Sequence, residues 1–314
     1  MPFASILGTN HHKQTIIFGC ALIFNETIES FVWLFETFLT AISGKPPSTI
    51  FTDQDAAMAA AIVYVFPNTT HRLCLWHIGL NAAKHLGHVI HASEDKSENK
   101  FWTDFKRCIY EDREEIYFTQ KWHELLAKYN LENNSWMANL YALRAKWAAV
   151  YRDSFIADMN SIQRSEGMNN VFKKRFHRKL GLSELLVECE NVAVSLMSNE
   201  LDADFKSRRK TPVSYIPNLP MLKTAGESYT RRMYSEFEEE FKKQFTLSCE
   251  LLEAAGTNST FFVKYMQSDR GATVVLNTED STITCSCRMF ECIGMFTTPY
   301  YLTGCFNCIL YPVI

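Results

Sequence analysis

The sequence predicts an α/β protein followed by a smaller β-rich module. Three observations lead to this fold class. Short β-rich runs alternate with helical patterns over the first 80 residues, and one of these runs ends in an acidic residue, Asp53. Long helical patterns follow, and alternating β-like runs return after Gly256. At 314 residues, with 47% hydrophobic and 13% aromatic residues, the chain can fill a substantial core.

The first predicted elements are two strands and a helix. Residues 4–10 and 15–24 are β-rich runs, and the polar segment between them favours a hairpin. A helix is predicted from Thr27 to Ile42, with Asn25 or Thr27 as its N-cap. Its apolar face consists of Phe31, Leu34, Phe35 and Phe38.

An acidic residue follows the third predicted strand. Ser48 to Thr52 has the pattern of a buried strand, Asp53 comes next, and a helix leads to a further strand that ends in Cys74-x-x-His77. Open α/β sheets bind ligands and metal ions at the carboxyl ends of their strands, so Asp53 is predicted to form one corner of an acidic metal site. A second interpretation stays open, in which Asp53 only caps the following helix and Asp55 only starts it.

The middle of the chain is predicted to be helical. Residues 80–160 carry helical patterns rich in tryptophan, and these side chains are expected in the core rather than stacked on nucleic-acid bases; they include Trp102, Trp122, Trp136 and Trp147. Further helices are predicted over residues 165–176, 182–204 and 227–255. After Gly256, strands are predicted over residues 260–266, 272–277 and 281–285.

Charge limits how the chain could bind nucleic acid. The net charge of −3 is the wrong sign for binding over the whole surface, so DNA binding would have to be local. The best local candidate is a basic run made of Lys173, Lys174, Arg175, Arg178 and Lys179. Such a run is either a solvated helix face or a site for nuclear targeting or phosphate contact, and both interpretations stay open.

The sequence shows no signal for a membrane or for secretion. The apolar run from Thr15 to Phe24 is too short to cross a bilayer, and no basic segment precedes it. Ten cysteines without a secretory signal favour reduced thiols or metal ligands over disulfides. An intracellular protein is therefore expected.

Several motifs together carry a family resemblance. They are Pro2-Phe3-Ala4 with Asn10-His11-His12, Thr52-Asp53-Gln54-Asp55 with Cys74-Leu75-Trp76-His77, and Gln163-Arg164-Ser165-Glu166-Gly167-Met168-Asn169. In this order they resemble the Mutator-like transposase domain, and most of all its domesticated form in the plant FAR-RED IMPAIRED RESPONSE family of transcription regulators. The resemblance covers about residues 1–294.

The resemblance implies a ribonuclease-H-like transposase domain over residues 1–205. It implies a large helical insertion at about 80–160, a helical connector over 206–258, a partial SWIM zinc finger over 259–295 and a divergent tail over 296–314. Because the chain opens where the family has just completed its first strand, the resemblance implies that this strand is missing. The chain is thus expected to be truncated at both ends relative to the family.

The resemblance also assigns the acidic residues. Asp53 matches the second catalytic acid of the transposases and Glu166 the third, whereas the first lies on the missing strand. A two-metal nuclease needs about three converging carboxylates. The chain is therefore expected to be a regulator without enzymatic activity. An active transposase or nuclease using Mg²⁺ is the alternative, and a non-functional remnant is a third interpretation.

Two groups of cysteines are candidate zinc ligands. Cys285 and Cys287 resemble the first half of a SWIM zinc finger, and Cys305 and Cys308 could supply two further thiolates unless the tail is foreign sequence. The motif of Cys74 and His77 is a hallmark of the transposases. It would either bind zinc or pack as a buried thiol beside a hydrogen-bonded imidazole.

Partners and location follow from the resemblance alone. It implies a nuclear protein that works with DNA and other members of the family, without a membrane and without a small-molecule substrate. A role in far-red light signalling is an implication of the family name.

Overall fold

The computed structural model describes most of the chain. The described residues are 1–90, 100–110, 115–151, 162–176, 180–216, 219–267 and 271–287, without the side chains of residues 110, 162–166 and 169. Within them the chain divides into two compact units. The first contains residues 1–6 and 19–185, and the second contains residues 7–18 and 186–314.

The chain begins with a hairpin, as predicted. Strands β1 (Phe3–Thr9) and β2 (Thr15–Leu22) form a two-stranded sheet. The turn between them is closed by the Lys13 amide, which donates to the Asn10 carbonyl at 2.9 Å. Lys13 adopts a left-handed backbone with φ 56°. A turn that ends in one left-handed residue is a common three-residue hairpin loop.

The next elements alternate between helix and strand. Helix α1 (Ile28–Ala41) is followed by β3 (Thr49–Thr52), α2 (Ala56–Val65) and β4 (Thr70–Leu73). Strands β3 and β4 pair in parallel, with Thr52 opposite Leu73. The predicted order of elements is confirmed. One correction concerns the Cys-x-x-His pair: Cys74 is the N-cap of a helix and His77 lies inside that helix, so the pair does not end a strand.

The first unit has one apolar core, in which α1 and α2 pack against residues of both two-stranded sheets. Phe31 and Phe35 on α1 and Ile62 on α2 are buried in this cluster. Ala4 and Ile50 pack against it from β1 and β3, respectively. Among the described residues, β1–β2 and β3–β4 remain two separate two-stranded sheets.

Helices dominate the stretch after β4. They are α3 (Leu75–His85), α4 (Gly87–Ile90), α5 (Lys100–Tyr110), α6 (Glu115–Lys128) and α7 (Ser135–Ala142), followed by two 3-10 turns at Arg144–Lys146 and Ala149–Tyr151. Trp122 and Trp147 are only 1% and 2% exposed in the core that these helices share. Trp102 and Trp136 pack against the same core. The expectation that the tryptophans are core residues is confirmed.

Four further helices lead to the C-terminal sheet. They are α8 (Ile162–Arg175), α9 (Leu182–Arg209), α10 (Pro220–Ser228) and α11 (Arg231–Lys243). Helix α11 is amphipathic: Tyr234, Phe237 and Phe241 are buried against α10. Thr230 caps α11 by accepting a hydrogen bond from the Met233 amide.

The C-terminal sheet begins earlier than predicted. Strands β5 (Leu247–Ala255), β6 (Asn258–Tyr265), β7 (Gly271–Asn277) and β8 (Thr282–Cys285) form one antiparallel sheet in this order. The prediction of a helix over 227–255 is wrong for Leu247–Ala255, and the predicted helical connector over 206–258 therefore contains a strand. Leucine, glutamate and alanine in this segment favour a helix, but pairing with β6 along the strand overrides that preference.

Candidate functional site

The site predicted from the sequence lies at the carboxyl edge of the parallel pair β3–β4. Asp53 follows β3 directly and Cys74 follows β4 directly, and the register places these two positions side by side. The Cys74 amide donates a 2.7 Å hydrogen bond to the Thr52 carbonyl and continues the pairing by one residue. Asp53 and Cys74, the first residue of the Cys-x-x-His pair, thus lie at the same edge of this sheet.

Local hydrogen bonds fix the acidic segment. The Asp53 carboxylate accepts the Asp55 amide at 3.1 Å, which closes a turn after the strand. The Asp55 carboxylate accepts the Met58 amide at 2.7 Å and caps α2. The cap is therefore Asp55, and the interpretation of Asp53 as the N-cap is wrong. Gln54 accepts from the side chain of Asn81 on α3 at 2.9 Å.

His77 is the unusual group at this edge. Its Nδ1 atom is buried and has no hydrogen-bond partner within the described part of the chain. Burial alone would lower the pKa of His77, but the Cys74 thiol and the negative charge of Asp53 outweigh it and raise that pKa above its usual value. The Cys74 thiol and the Asp53 carboxylate thus both act on the charge of His77.

His71 is not available as a further ligand for this group. Its Nδ1 accepts from the Lys146 ammonium at 3.1 Å, so the ring proton lies on Nε2, which bonds the Thr52 hydroxyl at 2.8 Å. Burial, assisted by the positive charge of Lys146, lowers the pKa of His71 to about 4. Sequence reasoning missed Lys146, because 75 residues separate it from His71 and no local pattern connects them.

Arg72 anchors the helical region to β4. The residue is only 3% exposed, and its guanidinium donates to the backbone carbonyls of Ala145, Ala148 and Tyr151 at 3.0 to 3.2 Å. Ala145 lies in the first 3-10 turn, Tyr151 ends the second, and Ala148 lies between the two turns. Arg72 thereby holds the segment that carries Lys146 beside His71. No local sequence pattern indicates this role for Arg72.

The other predicted site residues are placed as follows. Glu166 lies on α8, which contacts α3, but its side chain is outside the described residues. Lys173, Lys174 and Arg175 are exposed in the last turn of α8, where positive charge complements the helix dipole. Arg178 and Lys179 lie outside the described residues, as do Cys305 and Cys308.

The C-terminal thiols come together at the end of β8. Cys285 is buried, Cys287 is partly buried, and their sulfur atoms lie 3.0 Å apart. The Cys287 amide also donates to the Cys285 sulfur at 3.4 Å. Two thiolates of a tetrahedral zinc site with bonds of about 2.3 Å lie roughly 3.8 Å apart. The pair therefore fits half of such a site after a small separation of the two side chains.

One cluster of side chains has the geometry of a possible metal site. Among the side chains that the structure describes, one group alone brings three potential ligand atoms within 4.8 Å of one another, and it consists of His11, His12 and Asp204 in the second unit. Asp53, Cys74 and His77 do not form such a group. Nor does any helix in the described ranges have the length and apolar character needed to span a membrane.

Comparison with known proteins gives the family. Residues 1–81 match the MULE transposase domain. The chain is similar to three proteins of Arabidopsis thaliana over 94% of its length: FAR1-RELATED SEQUENCE 5 at 38% identity, FAR-RED IMPAIRED RESPONSE 1 at 32% and FAR1-RELATED SEQUENCE 9 at 32%. The chain belongs to the FAR-RED IMPAIRED RESPONSE-related family.

This membership confirms the family predicted from the motifs. The similarity to family members extends far beyond the transposase-domain match, because that match ends at residue 81. The chain spans 37%, 35% and 53% of these three family members, respectively. The activity of a whole family protein is therefore not assigned to this chain by similarity alone.

Proposed function

We propose that the chain is the transposase-derived part of a transcription regulator that works without cutting DNA. The observation that carries this proposal is the state of Asp53. Its position at the end of β3 is that of a metal-binding acid, yet its carboxylate accepts the Asp55 amide in the turn that follows this strand. Its partners Cys74 and His77 are softer donors than the oxygen ligands that Mg²⁺ prefers.

The fold supports a ribonuclease-H-like arrangement as part of this proposal. Sheets β1–β2 and β3–β4 pack on the same cluster with α1 and α2, as two halves of one sheet would. Each half leaves β-strand edges without a strand partner within the described residues. In a longer protein that contains a preceding strand, amides of Phe3–Thr9 or Thr49–Thr52 should exchange with solvent more slowly than in this chain. Unchanged exchange at both strands would contradict the arrangement.

We extend the proposal to nuclear action with DNA and other family members as partners. The exposed basic end of α8, Lys173 to Arg175, is the surface that suits nuclear targeting or phosphate contact. The name FAR-RED IMPAIRED RESPONSE 1 connects that relative to far-red light. A role for this chain in the same response is part of the proposal.

A tethered reporter assay tests the regulatory function. The chain is fused to a heterologous DNA-binding domain in plant cells, and transcription from a promoter with the matching site is measured. We expect a change in transcription that persists in the double variant Asp53→Asn/Glu166→Gln, because regulation does not need the acids. No change with the wild-type chain, or an effect lost in the double variant, would contradict the proposal.

Zinc binding by Cys285 and Cys287 is proposed as a second property of this family member. The approach of the two sulfur atoms supports it, and the remaining ligands would come from residues outside the described part of the chain. Metal analysis of purified protein should find one equivalent of zinc less in Cys285→Ser/Cys287→Ser than in the wild type. The variant Cys189→Ser, which removes a thiol on α9, serves as the control. Equal zinc in all three proteins would refute the site.

A further inference from the structure

The tip of the first hairpin carries two histidines that meet an aspartate far away in the sequence. His11 and His12 lie in the turn between β1 and β2, and Asp204 lies on α9. All three belong to the second compact unit. The transposase-like site does not include them.

The three side chains converge on one point. The Nε2 atoms of His11 and His12 lie 2.9 Å and 2.8 Å from the same oxygen, Oδ1 of Asp204. The centroids of the two imidazole rings are 4.3 Å apart. Hydrogen bonds from His12 and His11 lower the pKa of Asp204, so the carboxylate is ionised at neutral pH. Two imidazole nitrogens and one carboxylate oxygen are thus aimed at each other.

The surrounding structure holds this arrangement in place. The Asn10 side-chain oxygen accepts the amides of His12 and Gln14 at 3.0 Å and 2.9 Å. The Thr230 hydroxyl donates to the His11 carbonyl at 2.9 Å. The His12 side chain is only 3% exposed. Little conformational entropy remains for the turn to lose when a ligand binds.

We propose that His11, His12 and Asp204 bind a divalent transition-metal ion of the zinc class. Imidazole nitrogen and carboxylate oxygen are ligands that such ions accept at about 2.0 to 2.2 Å. A tetrahedral ion with these bonds separates its ligand atoms by roughly 3.4 Å. The histidine rings would have to move away from Asp204 by only about 0.5 Å to admit the ion.

A second carboxylate lies where such a site needs one. When Nε2 binds a metal, the proton of a neutral imidazole moves to Nδ1, and metal-bound histidines usually donate that proton to an oxygen. Oε1 of Glu200, one turn before Asp204 on α9, lies 3.9 Å from Nδ1 of His11. The His11 side chain is 57% exposed, so solvent can supply the fourth ligand. The ion would fasten the hairpin tip to α9 within the second unit.

Zinc titration of the full chain tests the site. Titrations use ZnCl₂ and isothermal calorimetry on a Cys285→Ser/Cys287→Ser background, so that these thiols do not compete. Asp204→Asn removes the shared ligand. Asp202→Asn is the matched control, because Asp202 lies two residues away on the same helix and its side chain is 58% exposed. We expect a bound zinc whose affinity falls by at least about tenfold in Asp204→Asn and is unchanged in Asp202→Asn.

The outcomes separate the proposal from a hydrogen-bonded cluster that binds no metal. Equal zinc affinity in the two aspartate variants, or no zinc binding by the folded background protein, would overturn it. If circular dichroism shows that Asp204→Asn is unfolded, His11→Asn decides, since that exposed side chain can be replaced with less risk to the fold. Weaker zinc binding by His11→Asn supports the site, and unchanged binding overturns it.

Discussion

Replacement of His71 by glutamine should make the first unit less sensitive to mild acid. In the folded chain, His71 accepts from Lys146 and bonds Thr52, and both contacts need the neutral ring. Glutamine offers one acceptor and one donor group, so it can replace both contacts without a titratable group. The stability of the wild type should fall as the pH falls, and the stability of His71→Gln should fall less.

The magnitude follows from the depressed pKa. The folded pKa is about 4 and the usual value is 6.5, so the unfolded chain binds the proton first as the pH falls. The stabilisation that neutral His71 contributes is therefore complete above the unfolded-state pKa. As the pH falls towards the folded-state pKa, the free energy of unfolding decreases by up to about 1.4 kcal/mol per pH unit. Between neutral pH and pH 5, the free energy of unfolding can therefore fall by at most about 2 kcal/mol because of His71. Because the ring is only partly buried, solvent screening reduces the expected difference to roughly 1 kcal/mol.

Urea unfolding at pH 7 and pH 5 measures the effect. Tryptophan fluorescence is a suitable signal, because Trp122 and Trp147 are buried in the first unit. His88→Gln, which removes an exposed histidine, controls for the loss of a histidine as such. If His71→Gln loses as much stability between the two pH values as the wild type does, the reasoning is refuted.

Substitutions at three further positions, measured by urea unfolding, test the residues that hold the candidate site in place. Arg72→Met should cost at least about 3 kcal/mol, because three backbone carbonyls lose a charged donor; a cost below about 1 kcal/mol would argue against the anchor. Asp55→Ala should lower the free energy of unfolding by about 1 kcal/mol, because it removes the cap of α2. Asp55→Asn should keep most of the stabilisation that this cap provides. The pKa of His77 is raised in the folded chain, so protonated His77 stabilises the fold. This stabilisation is complete below pH 6.5 and is lost as the pH rises through the pKa of His77 in the folded chain. His77→Gln should therefore cost more at about pH 6 than at about pH 8, and an equal cost would contradict the assignment.

Local patterns predicted much of the first unit. The cap at Thr27, the apolar face of α1 and the strand before Asp53 depend on residues close in sequence. Asp53 lies beside Cys74 because parallel strands joined by one helix bring their carboxyl ends to one edge of the sheet.

Contacts between distant residues could not be predicted in this way. Strand β5 depends on its pairing with β6, and its own composition favours a helix. His12 and Asp204 are 192 positions apart, so the sequence gives no reason to connect them. The family motifs included His11 and His12 but gave no indication of their partner. Arg72 and Lys146 were missed for the same reason, since their contacts join a strand to a helical region.

We propose that this family member regulates transcription without cutting DNA strands. The most direct measurement is nicking of supercoiled DNA by the purified, folded chain in Mg²⁺ or Mn²⁺, compared with Asp53→Asn/Glu166→Gln. We expect no nicking by the wild type above the level of the double variant. Metal-dependent nicking by the wild type that disappears in the double variant would contradict it.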